Sequence, residues 1–174
     1  MIFLGPQGSG KSTQAKLLAH NLDLVYLEMG QLLRDRAAQS DKLANELKQT
    51  LDAGHLVDNQ ITINILKNRI GNLNTNGYVL DGFPRNQAQY DALDKDIDIV
   101  FYVKVSDKEA IKRLTQRGRS DDTPRALKKR LGIYHDQTEP LLEKFKNRGI
   151  LRQINGERPI EQINKDILQI ADKF

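Results

Sequence analysis

The residues whose types and spacing most clearly indicate chemistry lie near the start of the sequence. Positions 5–12 read Gly-Pro-Gln-Gly-Ser-Gly-Lys-Ser, which fits the phosphate-binding pattern G-x-x-x-x-G-K-[ST]. An apolar segment, Ile2 to Leu4, precedes the pattern, and a helical run, Thr13 to Leu22, follows it. Glycines let backbone N–H groups turn inward around phosphate oxygens, and the start of the helix adds partial positive charge. The sequence therefore predicts a loop that binds the phosphates of ATP or GTP.

Side chains of this loop have separate expected tasks. Lys11 is placed to reach the β- and γ-phosphates, and either Ser12 or Thr13 offers a hydroxyl to a bridging Mg²⁺. A dinucleotide-binding loop is disfavoured, because Thr13 stands where G-x-G-x-x-G requires Gly or Ala. A simple glycine turn would explain neither the spacing nor the flanking elements. The predicted ATP contacts in the loop are Gly8, Ser9, Gly10, Lys11, Ser12 and Thr13.

Positive charge is concentrated in a second stretch. Eight of the 19 residues from Lys112 to Arg130 are basic. Such a short cluster favours a compact anion over the broad basic face of a nucleic-acid-binding protein. Arg119 and Arg130 are eleven residues apart with Thr123-Pro124 between them, so one is expected on a loop and the other on a facing helix.

The composition limits the class of protein. The chain of 174 residues is 39% apolar and 29% charged with a net charge of +4, which is typical of one soluble domain. It has no Cys, and its three His show no ligand spacing, so zinc is not expected and any metal would be held by oxygen atoms. No apolar run is long enough to span a membrane, and the first residues lack a secretory signal pattern. We expect a cytoplasmic protein.

Short apolar runs alternate with longer helical patterns, which predicts an α/β fold with a parallel sheet covered by helices. The predicted strands are Ile2 to Leu4, Leu24 to Leu27, Tyr78 to Leu80, Ile97 to Val105 and Ile150 to Ile154. The third strand is followed by Asp81-Gly82-Phe83-Pro84-Arg85, a charged loop at the edge where such sheets bind ligands.

Three regions are predicted to be helical. Residues 29–69 read as several short helices broken near Ser40 and Ala53-Gly54, which indicates an inserted helical subdomain. A stripe from Leu127 to Phe145 predicts one long helix after Thr123-Pro124, bent at Pro140, and a stripe from Ile160 to Phe174 predicts a closing helix. Both stripes are expected to be core.

The segment Asp81-Gly82-Phe83-Pro84-Arg85, followed by Gln89, resembles the signature of the adenylate kinase family of nucleoside monophosphate kinases. The resemblance covers nearly the whole chain, through Gly30, Arg34, Asp52-Ala53-Gly54, Leu56-Val57, Arg117-Gly118-Arg119, Asp121-Asp122, Arg130, Tyr134-His135 and Pro140. It implies a P-loop NTPase-type parallel sheet flanked by helices in a single kinase domain, residues 1–174. Within that domain it implies a helical NMP-binding insertion over approximately 29–58 and a short lid over approximately 118–124. Only Ser120 to Thr123 separates Arg119 from the next helix, which resembles the short-lid form without zinc.

The resemblance also implies roles for particular residues. The implied catalytic residues are Lys11, Arg85, Arg117, Arg119 and Arg130. Beyond the loop, ATP is expected to contact Arg113, Arg117 and Arg158, and Asp81 is expected to act on Mg²⁺ through water together with Ser12 or Thr13. The implied AMP contacts are Met29, Gly30, Arg34, His55, Leu56, Val57, Gly82, Phe83, Pro84, Arg85, Gln89, Arg119 and Arg130. Asp121 and Asp122 of the lid would orient the arginines or help to close the site.

The implied activity is reversible, Mg²⁺-dependent transfer of the ATP γ-phosphate to AMP by a monomer, giving two ADP by direct in-line displacement. The chain departs from the family at Met29-Gly30-Gln31, where Thr-Gly-Asp or Thr-Gly-Glu is usual, and at Ser12, where Gly is usual. The alternative is a UMP or CMP kinase, which shares the Gly-Phe-Pro-Arg segment. A GTPase switch or RNA-binding ATPase is disfavoured, because Asn-Lys-x-Asp, Asp-x-x-Gly and interleaved aromatic residues are missing from the sequence.

Overall fold

The computed structural model describes residues 1–75, 77–93, 96–117 and 123–174, and for Arg117 it describes the backbone only. The described strands are β1 (Ile2–Leu4), β2 (Val25–Glu28), β3 (Tyr78–Asp81), β4 (Val100–Lys104) and β5 (Leu151–Asn155). The helices are α1 (Lys11–Asn21), α2 (Met29–Ala37), α3 (Lys42–Asp52), α4 (Asn59–Gly71), α5 (Gln87–Asp91), α6 (Asp107–Arg117), α7 (Pro124–Ile133), α8 (Leu141–Asn147) and α9 (Ile160–Ala171). A π-helix, Tyr134–Thr138, lies between α7 and α8.

The five strands form one parallel sheet in the order β2-β3-β1-β4-β5. Strand β1 is central because its residues are apolar and fully buried on both faces, as expected of a parallel sheet covered by helices. Ile2 and Leu4 face one core cluster, which the inserted helices and α8 complete, whereas Phe3 faces a second cluster beneath α1 and α9. The predicted α/β fold is confirmed, with strand bounds that differ by up to three residues.

The inserted helices α2, α3 and α4 confirm the prediction of a helical stretch without a strand. The break after Ser40 is fixed by Asp41, whose side chain accepts a hydrogen bond from the backbone of Ala44 and caps α3. Asp58 caps α4 in the same way. Among the described residues, no helix is both long and apolar enough to cross a membrane.

The prediction of one long helix bent at Pro140 is wrong in detail. The backbone N–H of Glu139 donates to the carbonyl of Tyr134 at 2.9 Å, which is the i to i−5 spacing of a π-helix. Pro140 has no N–H to continue the helical hydrogen bonds, and it occupies the N-cap position of the separate helix α8. The stripe itself is buried, and the extra residue of the π-turn turns Thr138 toward the loop after β3, where its hydroxyl donates to the carbonyl of Arg85 at 2.7 Å.

The C-terminal stripe is core only in its middle. Ile163 and Ile167 are buried, whereas Ile160 is 50% exposed and Phe174 is 59% exposed. The prediction that the whole stripe is buried is therefore wrong at its two ends, because Ile160 is the first residue of α9 and Phe174 lies beyond its last residue, Ala171.

We expect Phe145→Ala to lower the free energy of unfolding by about 3–5 kcal/mol, because removing a fully buried ring leaves a cavity. The centroids of the Phe145 and Tyr90 rings lie 5.0 Å apart, so the substitution would also remove the edge contact of Tyr90. Phe174→Ala is the matched control, and its exposed ring should contribute less than about 1 kcal/mol. Urea denaturation measures the free energy of unfolding of both variants. An equal decrease in the two variants would contradict the prediction.

His135 joins the π-helix to the start of α6. Its Nδ1 lies 2.7 Å from Glu139 Oε2, and its Nε2 lies 3.0 Å from Asp107 Oδ1. The hydrogen bond with Glu139 is the largest influence and, with Asp107, raises the pKa of His135 above its ordinary 6.5, although partial burial opposes the shift. His135 therefore links the π-helix to α6 through its two ring nitrogens.

A pH series should detect this contact. Because the pKa of His135 is raised in the folded state, protonated His135 stabilises the folded protein fully below about pH 6.5. This contribution is lost as the pH rises through the folded-state pKa. We expect the difference in melting temperature between the wild type and His135→Gln to be largest below pH 6.5 and smallest in alkaline buffer. His20→Gln, at an exposed position of α1, controls for a general effect of losing a histidine. A difference that does not vary with pH would contradict the charge-dependent contact.

Candidate active site

A single cleft of about 750 Å³ opens at the carboxyl ends of β1, β2 and β3. This is the edge where ligands bind in open parallel sheets, because the loops that leave neighbouring strands diverge there. The cleft gathers most of the predicted site residues: Gly8, Gly10, Lys11, Ser12, Thr13, Gly30, Arg34, His55, Leu56, Asp81, Gly82, Pro84, Arg85, Arg113 and Arg130. Residues predicted to bind the donor and residues predicted to bind the acceptor therefore face one space.

The loop after β1 has the backbone that a phosphate site requires. Gly8 and Gly10 adopt φ angles of 83° and 87°, a left-handed conformation that glycine enters without strain. Gly10 caps α1, whose first turn has no acidic residue, so the partial positive charge of the helix start is not offset within α1. Lys11 Nζ is folded back to 3.3 Å from the carbonyl of Pro6, across the mouth of the loop.

Arg113 of α6 fixes the other side of this loop. Its Nη1 donates to the carbonyls of Gly156 at 2.9 Å and Ser9 at 3.4 Å, and its Nε donates to Glu109 at 2.8 Å. The guanidinium therefore links α6, the loop and the turn after β5 by hydrogen bonds. Arg113 also lines the cleft. Arg158 lies two residues beyond Gly156 and instead pairs with Asp166 at 2.6 Å; it is not among the described residues that line the cleft.

Asp81, at the end of β3, carries an uncompensated buried oxygen. The residue is 1% exposed, and its Oδ2 accepts a hydrogen bond from the Tyr26 hydroxyl at 2.9 Å. Its Oδ1 is buried without a hydrogen-bond partner in the part of the chain that the structure describes. Such an oxygen is costly unless a ligand or bound water satisfies it. Asp81 lines the same cleft as Ser12 and Thr13, so the oxygen atoms of these three side chains fit a divalent cation such as Mg²⁺, which keeps several of its waters.

The loop after β3 presents Arg85 in a fixed position. Its Nε donates to the carbonyl of Gly82 at 2.8 Å, and its backbone N–H donates to Gln89 Oε1 at 2.8 Å. Burial is the main influence that lowers the pKa of Arg85, and the charge of Asp81 partly offsets it. An arginine begins from so high a pKa that it remains a cation, so Arg85 offers the cleft a positioned, positively charged fork.

Gln89, one of the expected AMP contacts, is not among the described residues that line the cleft. It is 2% exposed, and its amide donates to Asn59 Oδ1 at 3.2 Å while accepting from the backbone of Arg85. In this geometry Gln89 positions Arg85, and its expected contact with a base stays a prediction. Met29, Val57 and Phe83 are also buried and belong to the core, and Ser9 is buried within the loop itself.

Sequence reasoning missed Glu28 and Tyr26. Glu28 is the last residue of β2 and lies beside Asp81 in the parallel register, so two carboxylates end neighbouring strands. Glu28 Oε1 accepts from Arg34 Nη2 at 2.9 Å, and its Oε2 lies 3.2 Å from the Tyr26 hydroxyl. The available signal was a carboxylate directly after each of two apolar runs.

The pKa of Glu28 reflects two opposing influences. Burial is the largest and would raise it, but the hydrogen bond and charge of Arg34, together with Lys16 and Tyr26, outweigh burial and hold the pKa below its ordinary value. Glu28 is therefore ionised near neutral pH. It places a permanent negative charge beside Arg34, one of the expected AMP contacts.

The inserted helices contact α7 directly across the cleft. Arg130 Nη2 lies 3.4 Å from the carbonyl of Leu51, and Lys129 Nζ lies 2.6 Å from His55 Nε2. A Cβ on Gly54 would be 3.5 Å from Ala126, which is ordinary van der Waals contact. Arg130 is thus held at the point where the insertion meets the helix that follows the predicted lid.

Four predicted site residues cannot be placed in this geometry. Arg119, Asp121 and Asp122 lie outside the described residues, as does most of the predicted lid, and the side chain of Arg117 is likewise outside them. Their roles stay predictions. Among the described residues, no group of three His, Cys, Asp or Glu side chains is arranged to hold a metal ion, so a cation here would depend on few protein ligands.

Comparison with known proteins identifies relatives along most of the chain. The sequence profile of the family described as Adenylate kinase matches residues 3–150. A protein named Adenylate kinase from Synechococcus sp. (strain CC9311) is 39% identical over 174 residues, which covers 96% of this chain and 95% of the relative. Proteins of the same name from Prochlorococcus marinus subsp. pastoris (strain CCMP1986 / NIES-2087 / MED4) and from Prochlorococcus marinus (strain NATL2A) are 38% and 37% identical. They cover 97% and 94% of this chain, and the matched regions span 95% and 93% of those relatives.

The loop geometry makes Gly8 a sensitive position. A Cβ at Gly8 would lie 2.5 Å from the carbonyl oxygen of Ala110 in α6, and the φ of 83° is unfavourable for alanine. We expect Gly8→Ala to raise the dissociation constant for ATP roughly tenfold or more, because the loop must shift. Isothermal titration calorimetry measures the constant.

Gly132→Ala is the matched control for this prediction. Gly132 is exposed in α7, and an added Cβ would meet nothing within 4 Å. We expect the Gly132→Ala variant to bind ATP with the affinity of the wild type. If Gly8→Ala also bound ATP normally while remaining folded, the loop would not be the donor site.

Proposed function

This chain belongs to the adenylate kinase family, and on that premise we propose that it catalyses reversible, Mg²⁺-dependent transfer of the ATP γ-phosphate to AMP, giving two ADP. One observation carries this proposal within the fold. A phosphate loop and three arginines, Arg34, Arg85 and Arg130, line the same cleft of about 750 Å³. A protein that only binds or hydrolyses ATP has no need of a second group of phosphate ligands facing the first.

The donor phosphates would lie on the loop after β1. Backbone N–H groups of Gly8 to Ser12 surround them, and Lys11 leaves the carbonyl of Pro6 to contact the β- and γ-phosphates. Arg113 and the turn at Gly156 form the adjoining wall, next to the expected base of ATP. Arg158 would contribute to that wall through its backbone segment.

The acceptor phosphate would be held opposite by Arg34 and Arg85, both of which offer two parallel hydrogen bonds to phosphate oxygens. One of its oxygens attacks the γ-phosphorus in line, and the bond to the oxygen bridging the β- and γ-phosphates breaks, so that ADP leaves. No proton must be removed, because the acceptor phosphate is ionised near neutral pH. The protein therefore contributes alignment and positive charge rather than acid–base chemistry.

The proposed catalytic residues are Lys11, Arg85, Arg117, Arg119 and Arg130. Charge spreads over the transferred group in the transition state, and fixed cations stabilise it most when water is excluded. Arg130 is already held at the junction of the insertion and α7. Arg117 and Arg119 would approach from the lid side, with Asp121 and Asp122 orienting them.

Bound Mg²⁺ would neutralise part of the negative charge of the ATP phosphates. Ser12 or Thr13 would offer a hydroxyl to it, and Asp81 would bind one of its waters through the buried Oδ1. The remaining features of the proposal are a helical NMP-binding insertion over approximately 29–58, a short lid over approximately 118–124, a monomeric state and a cytoplasmic location. These stay predictions, as does the expectation that the partners are ATP, AMP and ADP rather than nucleic acid.

A coupled assay that supplies AMP, CMP, UMP and dTMP separately with Mg²⁺ and ATP tests the acceptor. We expect AMP to give the highest kcat/KM. The panel is needed because Met29 and Gln31 replace the usual hydroxyl and carboxylate of the family, and because Gln89 is buried. A clear preference for a pyrimidine would replace AMP by UMP or CMP, and a lack of transfer with RNA-stimulated hydrolysis would overturn the kinase proposal.

We expect Lys11→Ala to lower kcat roughly a hundredfold or more, because it removes a cation from the transferred phosphate. Lys165→Ala, at an exposed position of α9, is the matched control and should retain wild-type turnover. The coupled assay at saturating ATP and AMP measures both variants, and circular dichroism verifies their folds. Near wild-type turnover by Lys11→Ala would remove this residue from the mechanism.

A further inference from the structure

Two carboxylates at the floor of the cleft share one hydroxyl group. The Tyr26 hydroxyl lies 2.9 Å from Asp81 Oδ2 and 3.2 Å from Glu28 Oε2. Burial is the main influence that raises the pKa of Tyr26, and the charges of both carboxylates raise it further. Tyr26 therefore stays neutral and has one proton to donate. Only one of the two carboxylates can receive that proton at a time.

Glu28 has a second strong partner in Arg34. The Oε1 of Glu28 accepts from Arg34 Nη2 at 2.9 Å, and the side chain of Glu28 is only 14% exposed. Gln31 Oε1 accepts from the same Arg34 Nη2 at 2.9 Å, so the arginine is held over Glu28 from both sides. Lys16 also lies near Glu28, at 3.9 Å, but its side chain is 59% exposed, so its charge is largely screened by water.

The acceptor phosphate and Glu28 must compete for Arg34. The proposed function assigns Arg34 to the acceptor phosphate, and a phosphate that takes two parallel hydrogen bonds through Nη2 would use the nitrogen that now donates to Glu28 and Gln31. A buried carboxylate that loses its arginine is costly unless another donor replaces it. The Tyr26 hydroxyl is the nearest described donor, and it can rotate from Asp81 toward Glu28 without breaking a covalent bond or transferring a proton.

We propose that Glu28 and Tyr26 couple the acceptor phosphate to the divalent cation near Asp81. The phosphate takes Arg34 from Glu28, the Tyr26 hydroxyl turns to Glu28, and Asp81 is left with both oxygens free to attract the cation and its waters. Asp81 Oδ1 already lacks a partner among the described residues, so the rotation removes the remaining described donor to this carboxylate. The coupling rests on the proposed function, because it takes Arg34 as an acceptor-phosphate ligand.

Thermodynamic linkage makes the coupling measurable from the acceptor side. If the phosphate strengthens cation binding, the cation must strengthen phosphate binding by the same factor. The probe is AMP, titrated calorimetrically into protein saturated with an ATP analogue that has a nitrogen bridge between the β- and γ-phosphates. The ratio of the AMP dissociation constant in EDTA to that in Mg²⁺ defines the coupling. Part of this ratio arises from direct charge neutralisation, so the variants are compared with the wild type.

Tyr26→Phe tests the hydroxyl. It retains the ring, which packs beneath α1, and removes the hydroxyl group that the two carboxylates share. We expect the coupling ratio to fall about threefold or more, because a hydrogen bond to a charged group no longer changes partner. Tyr90→Phe is the matched control, since Tyr90 packs on Phe145 away from the residues that line the cleft, and its ratio should equal that of the wild type.

Glu28→Gln tests the competition for Arg34 and gives a result that a purely structural role would not. If Glu28 only positions Arg34, the variant should bind AMP more weakly. The proposal predicts the opposite: in EDTA, AMP should bind about fivefold more tightly, because Arg34 no longer has a charged competitor. The coupling ratio should fall as well, because Tyr26 then has no charged alternative to Asp81.

Each outcome separates the coupling from the proposed function. Wild-type protein that binds no AMP in either buffer would overturn the proposed function and the coupling with it. Wild-type protein that binds AMP with a ratio near one, or a Tyr26→Phe ratio equal to the wild-type ratio, would overturn the coupling alone. Weaker AMP binding by Glu28→Gln in EDTA would overturn the competition for Arg34.

Discussion

The fold depends on a close backbone approach between the phosphate loop and the elements packed around it. A Cβ at Gly5 would lie 2.5 Å from the carbonyl of Val103 in β4, and one at Gly156 would lie 2.7 Å from the Val103 side chain and 3.0 Å from the carbonyl of Ser9. Because only glycine fits at these positions, β4, α6 and the turn after β5 can close around the loop. The same approach brings Arg113 within reach of the carbonyls of Ser9 and Gly156. The loop and the elements around it therefore pack too closely to admit a side chain at Gly5 or Gly156.

The part of the cleft proposed to hold the acceptor is organised by charge instead of close backbone packing. Arg34, Arg85 and Arg130 line one space, and their mutual repulsion is offset by Glu28 and Asp81 at the ends of neighbouring strands. The positive charge of Arg130 and that of Arg34 both disfavour the charged form of Arg85, whereas the two carboxylates favour it. A site of this kind can hold several cations together before a phosphate arrives. Its contacts are side-chain hydrogen bonds, which can change partners more readily than packed backbone can.

The features that the sequence predicted well are those with a strong local pattern. The phosphate loop has fixed spacing, and the buried strands and the inserted helices have apolar periods that local reasoning detects. Features that depend on strand register or packing were not predicted. Glu28 gains its importance only from lying opposite Asp81, and Gln89 is buried because Arg85 and Asn59 satisfy its amide. The π-helix was missed because one extra residue per turn hardly changes the apolar stripe from Leu127 to Phe145.

The junction between the insertion and α7 has a consequence for modularity. Leu51, Gly54 and His55 of the insertion contact Arg130, Ala126 and Lys129 of a helix that lies more than 70 residues later in the sequence. The insertion is therefore not an independent cassette. A chimera that receives the insertion of a relative would keep its contacts only if it also received the matching face of α7.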